Sequence, residues 1–351
     1  MARKDLAQAR DAKKDEFYTK LSDIEKELVY YREYFRGKVV FCNCDDPYES
    51  NFFKYFALNF NALGLKKLIA TCYDGSPIAQ QELPLFAENE TEPKRKAYKV
   101  EISEVPDLDG NGATDLTDVQ LLLKSSDHNV KAELKQNGSF DSPECIELLK
   151  QADIIVTNPP FSLFREYLSL LDKYEKQFII IGNTNALSYK ETFLMFQQDK
   201  VRTGYTNFNV GMYFQVPDSW EKYHHIENGK KMARVSTSCW FTNMPVTKHN
   251  EDLILIKHYT PEEYPKYDNY DAINVNTYTD IPCDYEGIMG VPITFLDKYN
   301  PEQFEIIDIN PHFFTMVEKG LPKPKQLTLH SVGKKDPYAR ILIRNKKPQI
   351  S

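Results

Sequence analysis

Short, uniformly apolar runs alternate with segments of helical periodicity through the first half of the chain. The apolar runs cover residues 39–42, 68–72, 154–157 and 178–182. Runs this apolar suit strands that are covered on both faces. Between them, apolar residues recur at helical spacing in 51–60, 144–149 and 164–171. The alternation predicts a parallel, doubly wound α/β sheet, whose ligands bind beyond the carboxyl ends of its strands.

The character of the sequence changes near residue 248. Residues 249–351 are rich in Tyr, Asn, Asp and Pro and contain few long periodic stretches. We therefore predict that residues 1–248 form the sheet domain and that residues 249–351 form a smaller, loop-rich domain. Further strands are predicted within 201–217 and 234–243 and at 340–344. The length of 351 residues fits two domains at roughly 150 residues each.

The strongest local motif is Asn158-Pro-Pro-Phe161, which directly follows the apolar run 154–157. Two consecutive prolines make a rigid loop with free carbonyl groups. An Asn side-chain oxygen and a neighbouring carbonyl can accept both hydrogens of an aromatic amine. This grip favours the pyramidal amine, whose lone pair can attack an electrophilic methyl group. The alternative is that the prolines only start the predicted helix 162–171.

Charge and cysteine content narrow the class of protein. The net charge is −7, yet residues 319–351 carry nine Lys and Arg against one Asp, so a polyanion should meet the C-terminal segment first. We find no apolar run near the ~18 residues that span a bilayer and no apolar signal core. A soluble, cytoplasmic protein without membrane contact is expected. The six cysteines fit neither a disulfide ladder nor a zinc pair, which predicts reduced, mostly buried thiols.

An acidic segment, about 101–124, separates two of the predicted strands. Within it, oxygen-bearing side chains occupy positions 1, 3, 5, 9 and 12 of a loop, with Gly112 at position 6. These side chains belong to Asp107, Asp109, Asn111, Asp115 and Asp118. The spacing is that of a calcium loop, and it predicts a structural calcium ion. The alternative is an acidic surface turn without a metal.

Longer blocks around the Asn-Pro-Pro-Phe motif resemble the EcoRI-methylase family of S-adenosyl-L-methionine-dependent DNA adenine methyltransferases. The blocks cover residues 15–19, 30–34, 41–47, 50–56, 158–167, 266–275 and 290–294. They extend over most of the chain. The resemblance implies a Rossmann-like methyltransferase sheet with a C-terminal target-recognition domain.

The resemblance also implies roles for individual residues. Asn158 and Pro159, with Pro160, would hold the amino group of the target adenine, and Phe161 would stack on the flipped base. The implied S-adenosylmethionine site consists of Phe17, Tyr18, Thr19, Asn43, Asp45, Asp46, Cys72, Tyr73, Phe140 and Asn158. The chain departs from the common methyltransferase pattern at Cys44, where a glycine-rich turn is usual, and at Ser139, which replaces an acid.

The expected activity is transfer of a methyl group to the N6 amino group of adenine in double-stranded DNA, by base flipping, in a restriction–modification setting. We expect a monomer in which Lys334, Lys335, Arg340 and Arg344 contact phosphates. Three alternatives remain: an N4-cytosine DNA methyltransferase, a glutamine methyltransferase, and a DNA-binding module without turnover. Phe161 stands where glutamine methyltransferases usually have Tyr, which argues against the second of them.

Overall fold

A computed structural model describes residues 18–44, 50–73, 97–124, 131–216, 218, 220–335 and 337–349. The chain divides into two compact units. The first unit comprises residues 1–183 and 204–244, and the second unit comprises residues 184–203 and 245–351. The predicted boundary at residue 248 stays a prediction about functional domains. Nothing in the sequence indicated that residues 184–203 belong to the second unit.

The strands and helices are as follows. The strands, in chain order, are β1 (Tyr18–Thr19), β2 (Val39–Cys42), β3 (Lys67–Cys72), β4 (Tyr98–Ile102), β5 (Lys131–Glu133), β6 (Ile154–Thr157), β7 (Gln177–Asn183), β8 (Arg202–Thr203), β9 (Met212–Gln215), β10 (His225–Glu227), β11 (Lys230–Val235), β12 (Ser238–Thr242), β13 (Lys266–Tyr267), β14 (Tyr270–Asn274), β15 (Ile288–Pro292), β16 (Phe304–Asn310) and β17 (Arg340–Asn345). The α-helices are α1 (Leu21–Leu28), α2 (Asn51–Leu58), α3 (Phe60–Leu63), α4 (Leu116–Lys124), α5 (Pro143–Gln151), α6 (Phe164–Lys173), α7 (Lys190–Gln197) and α8 (Phe314–Glu318). Short 3-10 helices cover Val29–Phe35, Phe161–Leu163, Thr184–Ser188, Thr247–His249, Tyr278–Asp280, Ile293–Lys298 and His330–Val332.

The main sheet of the first unit contains all four strands that the apolar runs predict. Its strands lie in the order β5-β4-β3-β2-β6-β7-β12. The four central strands, β3, β2, β6 and β7, are mutually parallel and almost wholly buried, because helices cover them. The outer strands β4, β5 and β12 pair antiparallel. The sheet is therefore mixed, and the expectation of a wholly parallel sheet holds only for its centre.

The chain order makes the boundary between β2 and β6 a topological switch point. From β2 the chain passes through α2 and α3 to β3 on one side, and it later returns to β6 on the other side of β2. The carboxyl ends of β2 and β6 thus open a crevice between loops that lead away in opposite directions. In open α/β sheets, ligands bind in such crevices.

Serine caps begin two helices that flank this sheet. Ser50 Oγ accepts hydrogen bonds from the backbone N–H groups of Phe52 and Phe53, which fixes the start of α2. The predicted helix 51–60 is interrupted, since α2 ends at Leu58 and a second short helix follows. Ser142 Oγ caps α5 in the same way by accepting from the N–H of Cys145 at 3.3 Å.

A four-stranded antiparallel sheet, ordered β1-β9-β11-β10, completes the first unit. In it, Thr19 of β1 lies opposite Phe214 of β9. This pairing joins the N-terminal end of the described chain to a strand that follows almost 200 residues later. The sequence predicted strands within 201–217 and 234–243 but gave no indication of this pairing.

The second unit is built on a five-stranded sheet, ordered β13-β14-β15-β17-β16. The predicted strand 340–344 is confirmed as β17, and it lies between β15 and β16. Its Leu342 belongs to a buried cluster with Tyr267, Ala272, Phe313, Leu327 and Leu329. The expectation of a loop-rich domain therefore missed a regular sheet, because its strands are short and lack long apolar runs.

Two further expectations concern cysteines and membrane contact. All six cysteines are free, and only Cys44 is not buried, which agrees with the expected burial of most thiols. In the part of the chain that the structure describes, no helix has the length and apolarity needed to cross a bilayer.

Candidate active site at the sheet switch point

The loops after β2 and β6 are tied together at the carboxyl edge of the sheet. The two strands are parallel neighbours, with Phe41 opposite Ile155, so Asn43 and Asn158 follow them at the same edge. The Thr157 hydroxyl donates a hydrogen bond to the backbone carbonyl of Asn43. This bond holds Asn43, the first residue after β2, against Thr157, the last residue of β6.

Asn43 is fully buried, and its amide is only partly satisfied. Its Oδ1 accepts hydrogen bonds from the hydroxyl of Thr71, on β3, and from the N–H of Cys44, both at 2.9 Å. Its Nδ2 has no hydrogen-bond partner among the described residues. A buried donor without a partner costs about 1–3 kcal/mol, so the residue is suited to a ligand that supplies an acceptor.

Cys44 adopts the backbone conformation that glycine usually supplies. Its φ is 66°, in the left-handed region. A residue with a Cβ atom is disfavoured there by roughly 1–2 kcal/mol. The turn after β2 therefore keeps the shape of a glycine turn although its sequence contains Cys44. Strain of this kind is often found at ligand-binding turns.

The strand β1 lies against the start of α2. Asn51 Nδ2 donates to the backbone carbonyl of Thr19 at 2.7 Å. Tyr18 and Thr19 are buried, and the Thr19 hydroxyl oxygen has no hydrogen-bond partner in the described ranges. It is a second buried polar group at this edge of the sheet that can receive a ligand. The predicted cofactor residues Phe17, Asp45 and Asp46 lie outside the described residues.

A glycine brings the loop 137–140 against the end of β3. Gly138 has a φ of +74°, and a Cβ atom built on it would lie 2.5 Å from the Cys72 carbonyl oxygen and 3.2 Å from Tyr73 Cα. Only glycine permits this approach. The loop thereby places Phe140 on the same side as the predicted residues Cys72 and Tyr73.

Phe140 is buried and packs edge-to-face on Tyr167 of α6, with ring centroids 5.1 Å apart. Behind the loop, the Cys145 thiol points to the Gly138 carbonyl, and burial raises the pKa of this thiol. Cys145 therefore stays protonated and serves the loop structurally. Asp141 Oδ1 accepts a hydrogen bond from the Ser139 hydroxyl. A carboxylate is thus present beside the position where Ser139 replaces the expected acid.

The Asn-Pro-Pro-Phe loop leaves the sheet as a 3-10 turn. Asn158 and Phe161 are half-buried, and Pro159 is buried. The α-helix α6 begins only at Phe164, so the prolines do not directly start it. Phe161 packs edge-to-face against Phe214 of β9 at 6.2 Å. Sequence reasoning did not select Phe214, and its only signal was its place in the predicted strand region 201–217.

The predicted calcium residues do share a loop, but not all of them converge. Carboxylate oxygens of Asp107, Asp109 and Asp118 lie within 4.8 Å of one another. Asp107 and Asp118 also accept backbone hydrogen bonds from within the loop, as Gly112 and Leu108 illustrate. Hydrogen bonds from backbone N–H groups lower the pKa of Asp118, and the bond from the N–H of Asp115 has the largest effect. The loop is thus ordered by its own backbone.

The other two predicted ligands are engaged within the loop. Asn111 donates from Nδ2 to Asp109 and to Asp115, and its oxygen accepts from the N–H of Ala113. These side chains are not among the three whose oxygens converge. Calcium at Asp107, Asp109, Asn111, Asp115 and Asp118 stays a prediction.

The four predicted phosphate contacts lie in or before β17. Lys334 and Lys335 are exposed. Arg344 forms an exposed ion pair with Glu305 at 3.1 Å. Arg340 is half-buried, and its Nε donates to Asn274 Oδ1 at 3.4 Å. Both arginines therefore lie in a strand of the sheet and already have protein partners.

Comparisons with known proteins show the family to which this chain belongs. A model of the family described as adenine-specific methyltransferase EcoRI matches residues 5–346. The Type II methyltransferase M.EcoRI of Escherichia coli is 46% identical over 350 residues, which cover 98% of this chain and 97% of that protein. The Type II methyltransferases M.MgeORF184P of Mycoplasma genitalium and M.MpnI of Mycoplasma pneumoniae are 38% and 36% identical, and each match covers 97% of this chain and 98% of the relative. No solved structure matches the chain significantly.

Proposed function

The chain belongs to the EcoRI family of adenine-specific methyltransferases, and we propose from this premise how its residues methylate DNA. It is a DNA adenine methyltransferase, like its Type II relatives. The finer proposal is that Asn158 and Pro159 hold the N6 amino group of an adenine in double-stranded DNA. The observation that carries the proposal is the position of Asn158-Pro-Pro-Phe161 directly after β6 at the switch point.

The hydrogen-bonding capacity of the loop suits an amino group. The Asn158 side-chain oxygen and the Pro159 carbonyl are both acceptors, and neither carries a charge. Two acceptors that take both hydrogens of the amine draw its nitrogen toward a tetrahedral shape. The lone pair then leaves conjugation with the ring and points away from the acceptors. Positioning and fixed dipoles thus supply the effect, and no general base with a shifted pKa is required.

The family uses S-adenosylmethionine, which supplies an electrophilic methyl group when it is bound. We propose that the buried Nδ2 of Asn43 and the buried hydroxyl of Thr19 receive polar groups of this cofactor, since neither has a partner among the described residues. Cys72 and Tyr73 would flank its ribose, and Phe140 would stack on its adenine. These five residues lie in strands and loops of the first unit.

The target base has to leave the DNA helix, because the amino nitrogen cannot reach a methyl donor from within the base stack. We propose that Phe161 stacks on the flipped adenine. The edge-to-face contact with Phe214 fixes one side of the Phe161 ring. Replacing the target adenine with 2-aminopurine should raise its fluorescence when the protein binds. Unchanged fluorescence, with binding measured separately, would contradict base flipping.

Phosphate contacts belong to the second unit in this proposal. The ammonium groups of Lys334 and Lys335 are exposed, and the surface pair Arg344–Glu305 is worth little in water, so its arginine can be exchanged for a phosphate. Arg340 is half-buried, and its Nε also bonds to Asn274. We therefore propose Lys334, Lys335 and Arg344 as the main contacts and Arg340 as a weaker one.

Product analysis tests the proposed reaction. Duplex DNA is incubated with the protein and methyl-labelled S-adenosylmethionine and is then digested to nucleosides. The label should appear in N6-methyladenine. Label in N4-methylcytosine would support the cytosine alternative, and unlabelled DNA that is nevertheless bound would support a binding module without turnover.

A further inference from the structure

Three metal-ligating side chains meet in the second unit, in residues that neither the sheet nor the proposed reaction uses. They are His258, Cys283 and Asp284, and one donor atom from each lies within 4.8 Å of the other two. His258 Nδ1 lies 2.9 Å from Asp284 Oδ2 and 3.7 Å from Cys283 Sγ. The three side chains differ in exposure: the thiol is buried, the carboxylate is half-buried and the imidazole is exposed.

The backbone holds these ligands before any ion binds. Lys257 and Pro282 form an isolated parallel bridge, so the residues that follow them lie side by side. The Cys283 N–H donates to the Lys257 carbonyl at 2.8 Å. The Tyr259 N–H donates to Asp284 Oδ1, also at 2.8 Å. This last bond orients the carboxylate and leaves its second oxygen to face the imidazole, as partners of metal-binding carboxylates commonly do.

The contacts of His258 distinguish a metal site from a catalytic relay. In a Cys-His-Asp relay, the thiol and the carboxylate bond to opposite nitrogens of the imidazole. Here both lie beside the same nitrogen, Nδ1. Without a cation, one N–H would have to be shared between the sulfur and the carboxylate. A cation accepts electron pairs from all three groups at once.

The distances suit zinc. With Zn–S of about 2.3 Å and Zn–N of about 2.0–2.1 Å, a tetrahedral ion separates sulfur from nitrogen by about 3.6 Å. The observed separation is 3.7 Å. The nitrogen and the carboxylate oxygen, at 2.9 Å, need to move apart by about 0.5 Å to reach tetrahedral geometry. The ammonium group of Lys257 does not compete with the metal for the Asp284 carboxylate, because Lys257 Nζ pairs with Asp280 at 2.8 Å.

We propose that His258, Cys283 and Asp284 bind one divalent, thiophilic cation of the zinc class, with water as the fourth ligand. The mixed nitrogen, sulfur and oxygen donor set favours zinc over calcium or magnesium, which prefer oxygen alone. Binding displaces the thiol proton of Cys283 to solvent, so the affinity rises with pH. The ion joins the segment 257–259 to the turn 282–284 and stabilises the second unit.

Cobalt(II) tests the site in the full-length protein, because a thiolate ligand gives cobalt an intense charge-transfer absorption in the near ultraviolet. After treatment with a chelator and its removal, titration with cobalt should develop this band with one ion per chain, and zinc should abolish it. Cobalt bound by carboxylates alone, as in the loop 107–118, gives no such band. The readout is therefore independent of methyl transfer and of calcium.

Two variants and a matched control complete the test. His258→Ala removes an exposed ligand without opening the core, and it should weaken cobalt binding more than ~10-fold, since even the loss of an outer partner of a metal ligand costs this much. Cys283→Ser should abolish the charge-transfer band. His330→Ala, which changes an exposed histidine elsewhere in the unit, should leave the titration unchanged. The absence of a thiolate band up to millimolar cobalt overturns the proposal, as does a band of unchanged midpoint in His258→Ala.

Discussion

In the first unit, three residues of the candidate site directly follow strands in sequence, whereas in the second unit the proposed metal ligands His258 and Cys283 are 25 positions apart. Asn43 follows β2, Tyr73 follows β3 and Asn158 follows β6. Parallel strands bring their carboxyl ends to one edge, so a site there is predictable from each run separately. His258 and Cys283 come together only because two extended segments without periodicity form a bridge. A site at the edge of a parallel sheet can therefore be predicted from the sequence, whereas a site between two loops cannot.

The largest expected effect tests the site at the sheet edge. Asn158→Ala should reduce methyl transfer at least ~100-fold, the scale on which one transition-state hydrogen bond is lost, while cofactor binding weakens only modestly. Asn61→Ala is the matched control, since Asn61 is exposed on α3 and its side chain donates to Val105 and Thr114 of the acidic segment. Single-turnover rates and cofactor affinity are measured for both. Turnover near that of the wild type in Asn158→Ala would refute the role given to this amide.

The second prediction concerns the second unit, through His249. Burial lowers the pKa of this imidazole to about 4 from 6.5. The unfolded chain therefore takes up a proton at a pH where the folded chain does not. Stability is complete above about pH 6.5 and is lost as the pH falls toward 4. The loss between pH 7 and pH 5 should be about 2 kcal/mol.

Denaturant unfolding at both pH values measures this loss, and His249→Gln is the comparison. The variant is less stable at pH 7 but lacks the imidazole, so its stability should change less between the two pH values. If the wild type and the variant lose the same free energy on acidification, His249 is not the responsible group.

The third prediction separates a close contact from backbone strain in the first unit. Gly138→Ala should weaken cofactor binding at least ~10-fold, because overpacking costs about 1–3 kcal/mol and the new Cβ would meet the Cys72 carbonyl. Gly110→Ala is the control, since Gly110 has the same φ of +74° and nothing within 4 Å. Cofactor titration distinguishes the two. Equal effects would mean that backbone strain alone, and not the approach of the loop to β3, matters.

The fourth prediction asks whether the basic residues of the second unit read sequence or only phosphates. Lys334→Ala and Arg344→Ala should weaken binding to all DNA sequences alike, and each should reduce the salt slope by about 0.9. Arg340→Ala should reduce it less, because Asn274 already accepts from this guanidinium. Binding is measured over a range of salt concentrations. A loss confined to one base position would make the residue a base reader.

The smallest expected effect concerns calcium in the acidic loop of the first unit. If Asp107 and its neighbours bind calcium, millimolar calcium should raise the melting midpoint over that in chelator by roughly 2–4 °C for each kcal/mol gained. Asp107→Ala should abolish the difference, and methyl transfer should persist in chelator. If the melting midpoint of the wild type does not change with calcium across the millimolar range, the loop is an acidic surface turn without a metal.

The sequence by itself determined the central strands and the position of the reactive loop. The runs 39–42 and 154–157 coincide with β2 and β6, because a strand buried on both faces leaves an unbroken apolar signature. Asn158-Pro-Pro-Phe161 was identified for the same reason, as it directly follows such a run. The outer strands were not predicted, or their antiparallel direction was not, because antiparallel pairing produces no such apolar run in the sequence.

Only the tertiary structure decided which distant residues meet. The pairing of Thr19 with Phe214, the fit of Gly138 against Cys72 and the convergence of His258 with Cys283 all depend on contacts between segments far apart in the chain. Local propensity and periodicity depend on neighbours within a few residues and therefore cannot predict such contacts. The turn at Cys44 shows the same limit at short range: its left-handed backbone is imposed by the fold around it, against the preference of the residue itself.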